Sequence, residues 1–303
     1  MALKPLDNAL QVIPERPKKL AKIATLTKNP NQKIQNQTDF SGLNDENKPP
    51  LPEAAVDYLP SDKLEALANP DLKIQDLALR LDSKDWLKVC ESLNDVRRFT
   101  LFHSTLLEPI LKKVLLVMVK AMKNPRSALC KTSIMASSDI FKAFGNKLLI
   151  ESEISDAFDQ VLLQLLLKAS QDKKFVCEEA DRALKEMVGS MTPLLLLKRL
   201  QSYVKHSNPR VRAKAAISIS ECFSIMELEG MTEFGLVPSI QTAVDLLNDR
   251  LPEARESARR IAVCLYEAVT AKEEQKQEAW QSFCCSNLSA IHAQSMVKLV
   301  SSH

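Results

Sequence analysis

The chain has 303 residues, 45% of them hydrophobic, with 5 glycines and 5% aromatics. It is long enough to bury a sizeable core and is biased toward helix formers rather than toward the turn-rich composition of sandwiches and barrels. A net charge of +3 is too small for binding by bulk basicity, so any electrostatic role rests on how the charges are arranged. The seven cysteines (Cys90, Cys130, Cys177, Cys222, Cys264, Cys284, Cys285) are odd in number, lie mostly in helical stretches and follow no secretory signal. They predict a reducing, cytoplasmic setting, and no apolar run approaches the roughly 18 residues of a membrane span.

Residues 1–60 are expected to form a disordered tail. Pro5, Pro14, Pro17, Pro30, Pro49, Pro50, Pro52 and Pro60 interrupt a stretch rich in Asn, Lys and Gln that has no sustained apolar period. Its charge is split. Residues 1–38 carry seven basic groups against Asp7 and Glu15, whereas residues 39–60 carry Asp39, Asp45, Glu46, Glu53 and Asp57 against Lys48. The basic part could dock on an acidic polymer or remain a solvated tail.

From residue 61 to 303 two kinds of helical segment alternate. One is strongly apolar: Leu106 to Met122, Ile154 to Leu167, Pro193 to Val204 and Leu236 to Leu247. The other follows a polar turn and carries small residues on one face, most clearly after Pro209 and Pro252, where both segments read Pro-x-x-Arg-x-x-Ala. In that frame the pairs Val89/Leu93, Leu129/Ser133, Val176/Ala180, Val211/Ala215 and Ala254/Ala258 are equivalent. Their spacings of 40, 47, 35 and 43 residues fit the helix-pair unit of HEAT and armadillo arrays. An all-α solenoid of about six helix pairs is predicted. Small side chains at i and i+4 let second helices approach one another, and Glu273 to Ser302 forms a degenerate capping pair.

In such an array the turns within the pairs line up along one edge. Lys84, Asp85, Trp86 and Lys88 belong to the first turn, and Lys123, Asn124, Arg126 and Lys131 to the second. Asp172, Lys173 and Lys174 make the third, Asn208, Arg210 and Arg212 the fourth, and Asp249, Arg250, Glu253 and Arg255 the fifth. Eleven basic groups against four acidic ones give this edge +7 in a chain of +3. Cations at helix N-termini oppose the helix dipole, so stability does not explain them, whereas attraction of an acidic partner does. Trp86, three residues before the buried position Val89, is expected at the turn as an aromatic anchor, and Trp280 in the core.

The segment Asp85-Trp86-Leu-Lys-Val-Cys-Glu91-Ser-Leu93 resembles the opening of TOG domains. Arg126-Ser-Ala-Leu-Cys-Lys131 resembles the second turn of CLASP-type TOG arrays, and Pro209-x-x-Arg212 and Pro252-x-x-Arg255 resemble the later turns. The resemblance covers roughly residues 70–270 and is closest to plant proteins built around a single TOG-like array. It implies a HEAT-type paddle that binds tubulin or microtubules through the turn edge, associated with the cytoskeleton. Carried over by position, it implies that Trp86 and Lys88 serve the first turn, Arg126 and Lys131 the second, Lys173 and Lys174 the third, Arg210 and Arg212 the fourth, and Arg255 the fifth. Cys177 departs from the pattern, since it holds the frame position occupied by Arg212 and Arg255 in later units.

Other functions find little in the residues. The five glycines form no phosphate-binding loop, His103, His206, His292 and His303 are scattered, and there is no His-x-x-x-His or Cys-x-x-Cys pair. No enzyme activity, cofactor or metal is expected. Two Trp and three Tyr are few for base stacking, which makes nucleic acid an unlikely partner. A generic HEAT adaptor that holds a peptide or protein cargo in its concave face is the alternative.

Overall fold

The local sequence explains where the helices begin. Four turns open on an Asx side chain that accepts a hydrogen bond two residues on: Asp85 from Leu87 N, Asn124 from Arg126 N, Asn208 from Arg210 N and Asp249 from Leu251 N, at 2.9–3.0 Å. These bonds close the turn and satisfy donors that the first helical turn leaves free. Pro193, Pro209 and Pro252 then occupy first helical positions, where a missing N–H has no cost.

The computed structural model describes residues 58–301; residues 1–57 and 302–303, and with them nearly all of the expected tail, lie outside the described residues. The described residues contain no strand. Helices α1 (Pro70–Arg80) and α2 (Trp86–Phe102) form the first pair, and a short α3 (Ser104–Leu107) leads to α4 (Leu111–Lys123) and α5 (Ser127–Phe144). Next come α6 (Lys147–Ile150), α7 (Ser152–Ala169), α8 (Lys174–Ser190), α9 (Pro193–Leu200) and α10 (Pro209–Ile225). The array closes with α11 (Leu228–Phe234), α12 (Leu236–Leu247), α13 (Pro252–Thr270), α14 (Lys276–Asn287) and α15 (Ala290–Ser301).

The repeat frame read from the sequence is the packing frame. All ten paired positions from Val89/Leu93 to Ala254/Ala258 are buried, and the small residues Ser133, Ala180, Ala215 and Ala258 are fully so. Second helices stack on second helices (α2 on α5, α5 on α8, α10 on α13), while α4 stacks on α7. Between α8 and α10 this stacking thins. Lys214 meets Asp181 there at 2.7 Å, and Arg210 meets Asp172 at 2.8 Å, so ion pairs bridge the junction where the helices stack less closely.

Two local departures have simple causes. The segment Leu106 to Met122 is not one helix but passes through a 3-10 turn at Glu108–Ile110, where Pro109 brings no N–H to the ladder. Gly145 ends α5 with φ of 43°, and a Cβ there would lie 2.9 Å from the Ser190 carbonyl oxygen at the end of α8.

Trp280 is fully buried, edge-on to Tyr266 and stacked on Phe283, each at 5.8 Å between ring centroids, and so holds α14 to α13.

Candidate functional site

Basic side chains tie each turn to its neighbour, which demonstrates the expected row. The Arg126 guanidinium lies over the Trp86 ring, 5.3 Å from its centroid, joining turns two and one. Lys173 Nζ donates to Ser127 Oγ at 3.1 Å, joining turns three and two. Arg210 Nη1 donates to Asp172 Oδ1 at 2.8 Å and to the Ser170 carbonyl at 3.3 Å, joining turns four and three. Arg212 Nε donates to Asp249 Oδ2 at 2.6 Å, joining turns four and five.

The predicted contact residues separate into two groups. Lys88, Arg126, Lys173, Lys174 and Arg210 are exposed, and Trp86 is half-buried with part of its ring packed on the core. Lys174 keeps 87% of its side chain in solvent and reaches only Glu178, at 3.8 Å, while Lys88 has no ion-pair partner among the described residues. Arg212 and Arg255 are turned inward instead. Arg212 Nη1 donates to the carbonyls of His206 and Ser207, and Arg255 Nη1 to those of Asp249 and Arg250, at 2.7–3.2 Å. Carbonyls of a tight turn lack helical partners, and a planar guanidinium satisfies two at once. Cys177, at the equivalent frame position, donates from Sγ to the Ala169 carbonyl, so its departure from Arg preserves a donor to the preceding turn.

Lys131 lies away from the row. Its side chain is 20% exposed, with Nζ 4.5 Å from the centroid of the Tyr58 ring and 3.8 Å from Glu179. Tyr58 opens a strap, residues 58–64, that crosses α5 and α2. Ser61 Oγ donates to Asp139 Oδ1 at 2.6 Å, and Arg97 Nη1 donates to the Leu59 carbonyl at 2.8 Å. Beneath the strap Arg97 and Asp139, each 1% exposed, pair at 2.7 Å. The two residues are 42 positions apart, about one repeat, on helices that stack, but the repeat frame was read from apolar and small positions and did not mark a charged pair between them.

Phe175, 43% exposed beside Lys173 and Lys174, is a second aromatic on the row that the sequence reading missed. Its position one residue before buried Val176 was the available signal. Asp249 is the one carboxylate of the row that is buried. Burial alone would raise its pKa, but the bond from Arg212, the Leu251 N–H and the charges of Arg212 and Arg250 outweigh it and hold the carboxyl below its ordinary value. Among the described residues no group of three or more His, Cys, Asp or Glu side chains is placed to hold a metal ion, and no helix is long and apolar enough to cross a membrane.

A family model described as CLASP N terminal matches residues 92–282, well over half of the chain. The chain belongs to the CLASP N terminal family. Among its relatives is the mouse protein named TOG array regulator of axonemal microtubules protein 1, 26% identical over 203 residues, which are 66% of this chain and 11% of the mouse protein. The human protein of the same name is 28% identical over 131 residues, 43% of this chain and 7% of its own length. This CLASP N terminal chain thus spans about a tenth of the curated relatives it matches. Solved structures share its fold. A TOG domain of C. elegans Zyg9 superposes with a TM-score of 0.56 at 14% identity, over 80% of this chain and 90% of that one. The MAST/Orbit N-terminal domain gives 0.51 at 16% identity, over 75% and 95%. The expected all-α HEAT-type TOG fold is therefore the fold observed.

Proposed function

We propose that this chain is a non-catalytic scaffold that binds tubulin or microtubules through the turn edge, in a cytoplasmic, cytoskeleton-associated setting. The observation that carries the reading is the row itself: Lys88, Lys173, Lys174 and Arg210 are exposed on neighbouring turns beside the Trp86–Arg126 stack and exposed Phe175. Cations interleaved with aromatics suit an acidic protein surface, where the aromatics supply buried area and the cations supply steering. Family membership and the microtubule-related naming of the mouse and human relatives point to the same partner. In this reading Arg212, Arg255 and Lys131 shape the turns and the strap, and the exposed group makes the contacts. The basic stretch within residues 1–38 would add a second contact and raise avidity without any change in the array.

The test is co-elution with soluble tubulin and co-sedimentation with microtubules. Trp86→Glu, and separately Lys173→Glu/Lys174→Glu/Arg210→Glu, should each weaken binding by roughly tenfold or more, since loss of an interface anchor costs about 2 kcal/mol. If both variants stay helical and bind like the wild type, the turn edge is not the binding face. Deletion of residues 1–57, which leaves the strap at 58–64 in place, measures the share of the preceding segment in the same assay.

A further inference from the structure

Between the first two turns, beside Trp86, lies a pocket of about 220 Å³. Its floor is apolar: Val89, Val117, Ala121 and Leu129 line it and are each at most 8% exposed. Its rim is cationic. Lys84 and Lys120 border it, both are exposed, and neither has an ion-pair partner among the described residues. The rim carboxylate, Asp82, is engaged by Lys113 at 2.5 Å and offers no neutralising charge to them. Apolar floors open to water gain by being filled, and unpaired ammonium groups beside them favour an anion at the mouth.

We propose that this pocket takes one branched aliphatic side chain of the acidic partner, with a neighbouring carboxylate of that partner set between Lys84 and Lys120. The inference rests on the reading of the turn edge as the binding face and adds to it the chemistry that the first two turns recognise. The buried floor of Val89, Val117, Ala121 and Leu129 matches an aliphatic side chain in polarity, and the two lysines match one carboxylate. Trp86, held by Arg126 across the same gap, forms a wall of the pocket, so the Trp serves as part of a receptor as well as an anchor.

The experiment uses the full chain with methyl-labelled Val and Leu, titrated with 4-methylpentanoate, which carries a branched chain and a carboxylate. Methyl signals of Val89, Val117 and Leu129 should shift saturably. The uncharged 4-methylpentan-1-ol should bind about threefold more weakly, in keeping with the small value of an exposed ion pair. Glutarate, which has no branched chain, should produce no saturable shift. Ala121→Leu, which fills the pocket, should abolish the probe response and weaken tubulin roughly tenfold. Lys84→Glu/Lys120→Glu leaves the floor intact, guards against misfolding of the first variant, and should remove the preference for the carboxylate.

Unshifted methyls, or tubulin binding that survives Ala121→Leu while the Lys173/Lys174/Arg210 reversal destroys it, would overturn the pocket proposal and leave the turn-edge reading standing. Probe binding without any tubulin binding would overturn the edge reading and the stated partner together. Loss of self-association in Ala121→Leu, or methyl shifts caused by deleting residues 1–57, would show that a second copy or the chain's own segment fills the pocket and would also overturn it.

Discussion

Arg97 and Asp139 are each 1% exposed, and their 2.7 Å bond is the means by which Leu59 and Ser61 are fastened to α2 and α5. Removing one partner strands a charge in the interior, so Asp139→Ala should destabilise the fold by about 3–5 kcal/mol in a denaturant titration. The Arg97→Met/Asp139→Leu double variant should recover much of that loss. Limited proteolysis should then cut near residues 58–64 in both, since neither retains the full set of anchors for the strap. Asp249 makes a pH-dependent contribution of defined sign. Its folded pKa is depressed, so the stabilisation is fully present above the unfolded value of about 4 and fades as pH falls through the folded value. A wild-type minus Asp249→Asn difference in stability should accordingly shrink below about pH 4. The cysteines differ by burial: desolvation pushes the Cys90 thiol up to about 11 and the thiols of Cys222 and Cys284 up to about 12, whereas Cys285 is exposed. A water-soluble alkylating reagent at neutral pH should label Cys285 first and leave Cys90, Cys222 and Cys284 untouched until unfolding, as read by mass spectrometry.

At the scale of the element, the positions that matter are where one helix ends against another. Gly145 has a positive φ and faces the Ser190 carbonyl with no room for a Cβ, which places the ends of α5 and α8 side by side. Gly145→Ala combines a left-handed backbone penalty with a clash against backbone, and should lower stability by about 1–3 kcal/mol in thermal or denaturant unfolding. The turn-opening Asx residues and the helix-starting prolines were legible in the sequence because capping is local chemistry. The interruption at Pro109 was legible in principle as well, yet the apolar run on either side of it concealed the break. The inward turn of Arg212 and Arg255 was not legible. An Arg in the first helical turn has the length to reach solvent or the preceding carbonyls, and only the folded turn, with Asp249 buried behind Arg212, selects between them.

The molecule as a whole gains from stacking what no pair has alone, and this makes its last pair matter. α14 and α15 cover α13, with Trp280 buried against Tyr266. A chain ended after Ala271 exposes that face and should show a lower melting temperature, dye binding to apolar surface and self-association in light scattering. Binding to the acidic partner should weaken steeply with ionic strength, because the exposed row lies within a Debye length of any docked surface; a flat salt response in the tubulin assay would contradict an electrostatic edge. At the α8–α10 junction the second helices stack less closely than α2 on α5, α5 on α8 or α10 on α13, and the ion pairs Lys214–Asp181 and Arg210–Asp172 bridge it.

The period of about 41 residues, the buried pairs from Val89/Leu93 to Ala254/Ala258 and the gathering of cations in the turns were all determined by the sequence alone. Each depends on short-range periodicity, and a solenoid repeats the same short-range solution in every unit. The tertiary structure decided which cations face solvent, since Lys88, Lys173, Lys174 and Arg210 do while Arg212, Arg255 and Lys131 are held by carbonyls, a carboxylate or an aromatic ring. It also decided the strap over Arg97 and Asp139 and the pocket beside Trp86. These features join residues tens of positions apart in sequence, and no local pattern encodes whether two side chains that can reach a common point will meet there.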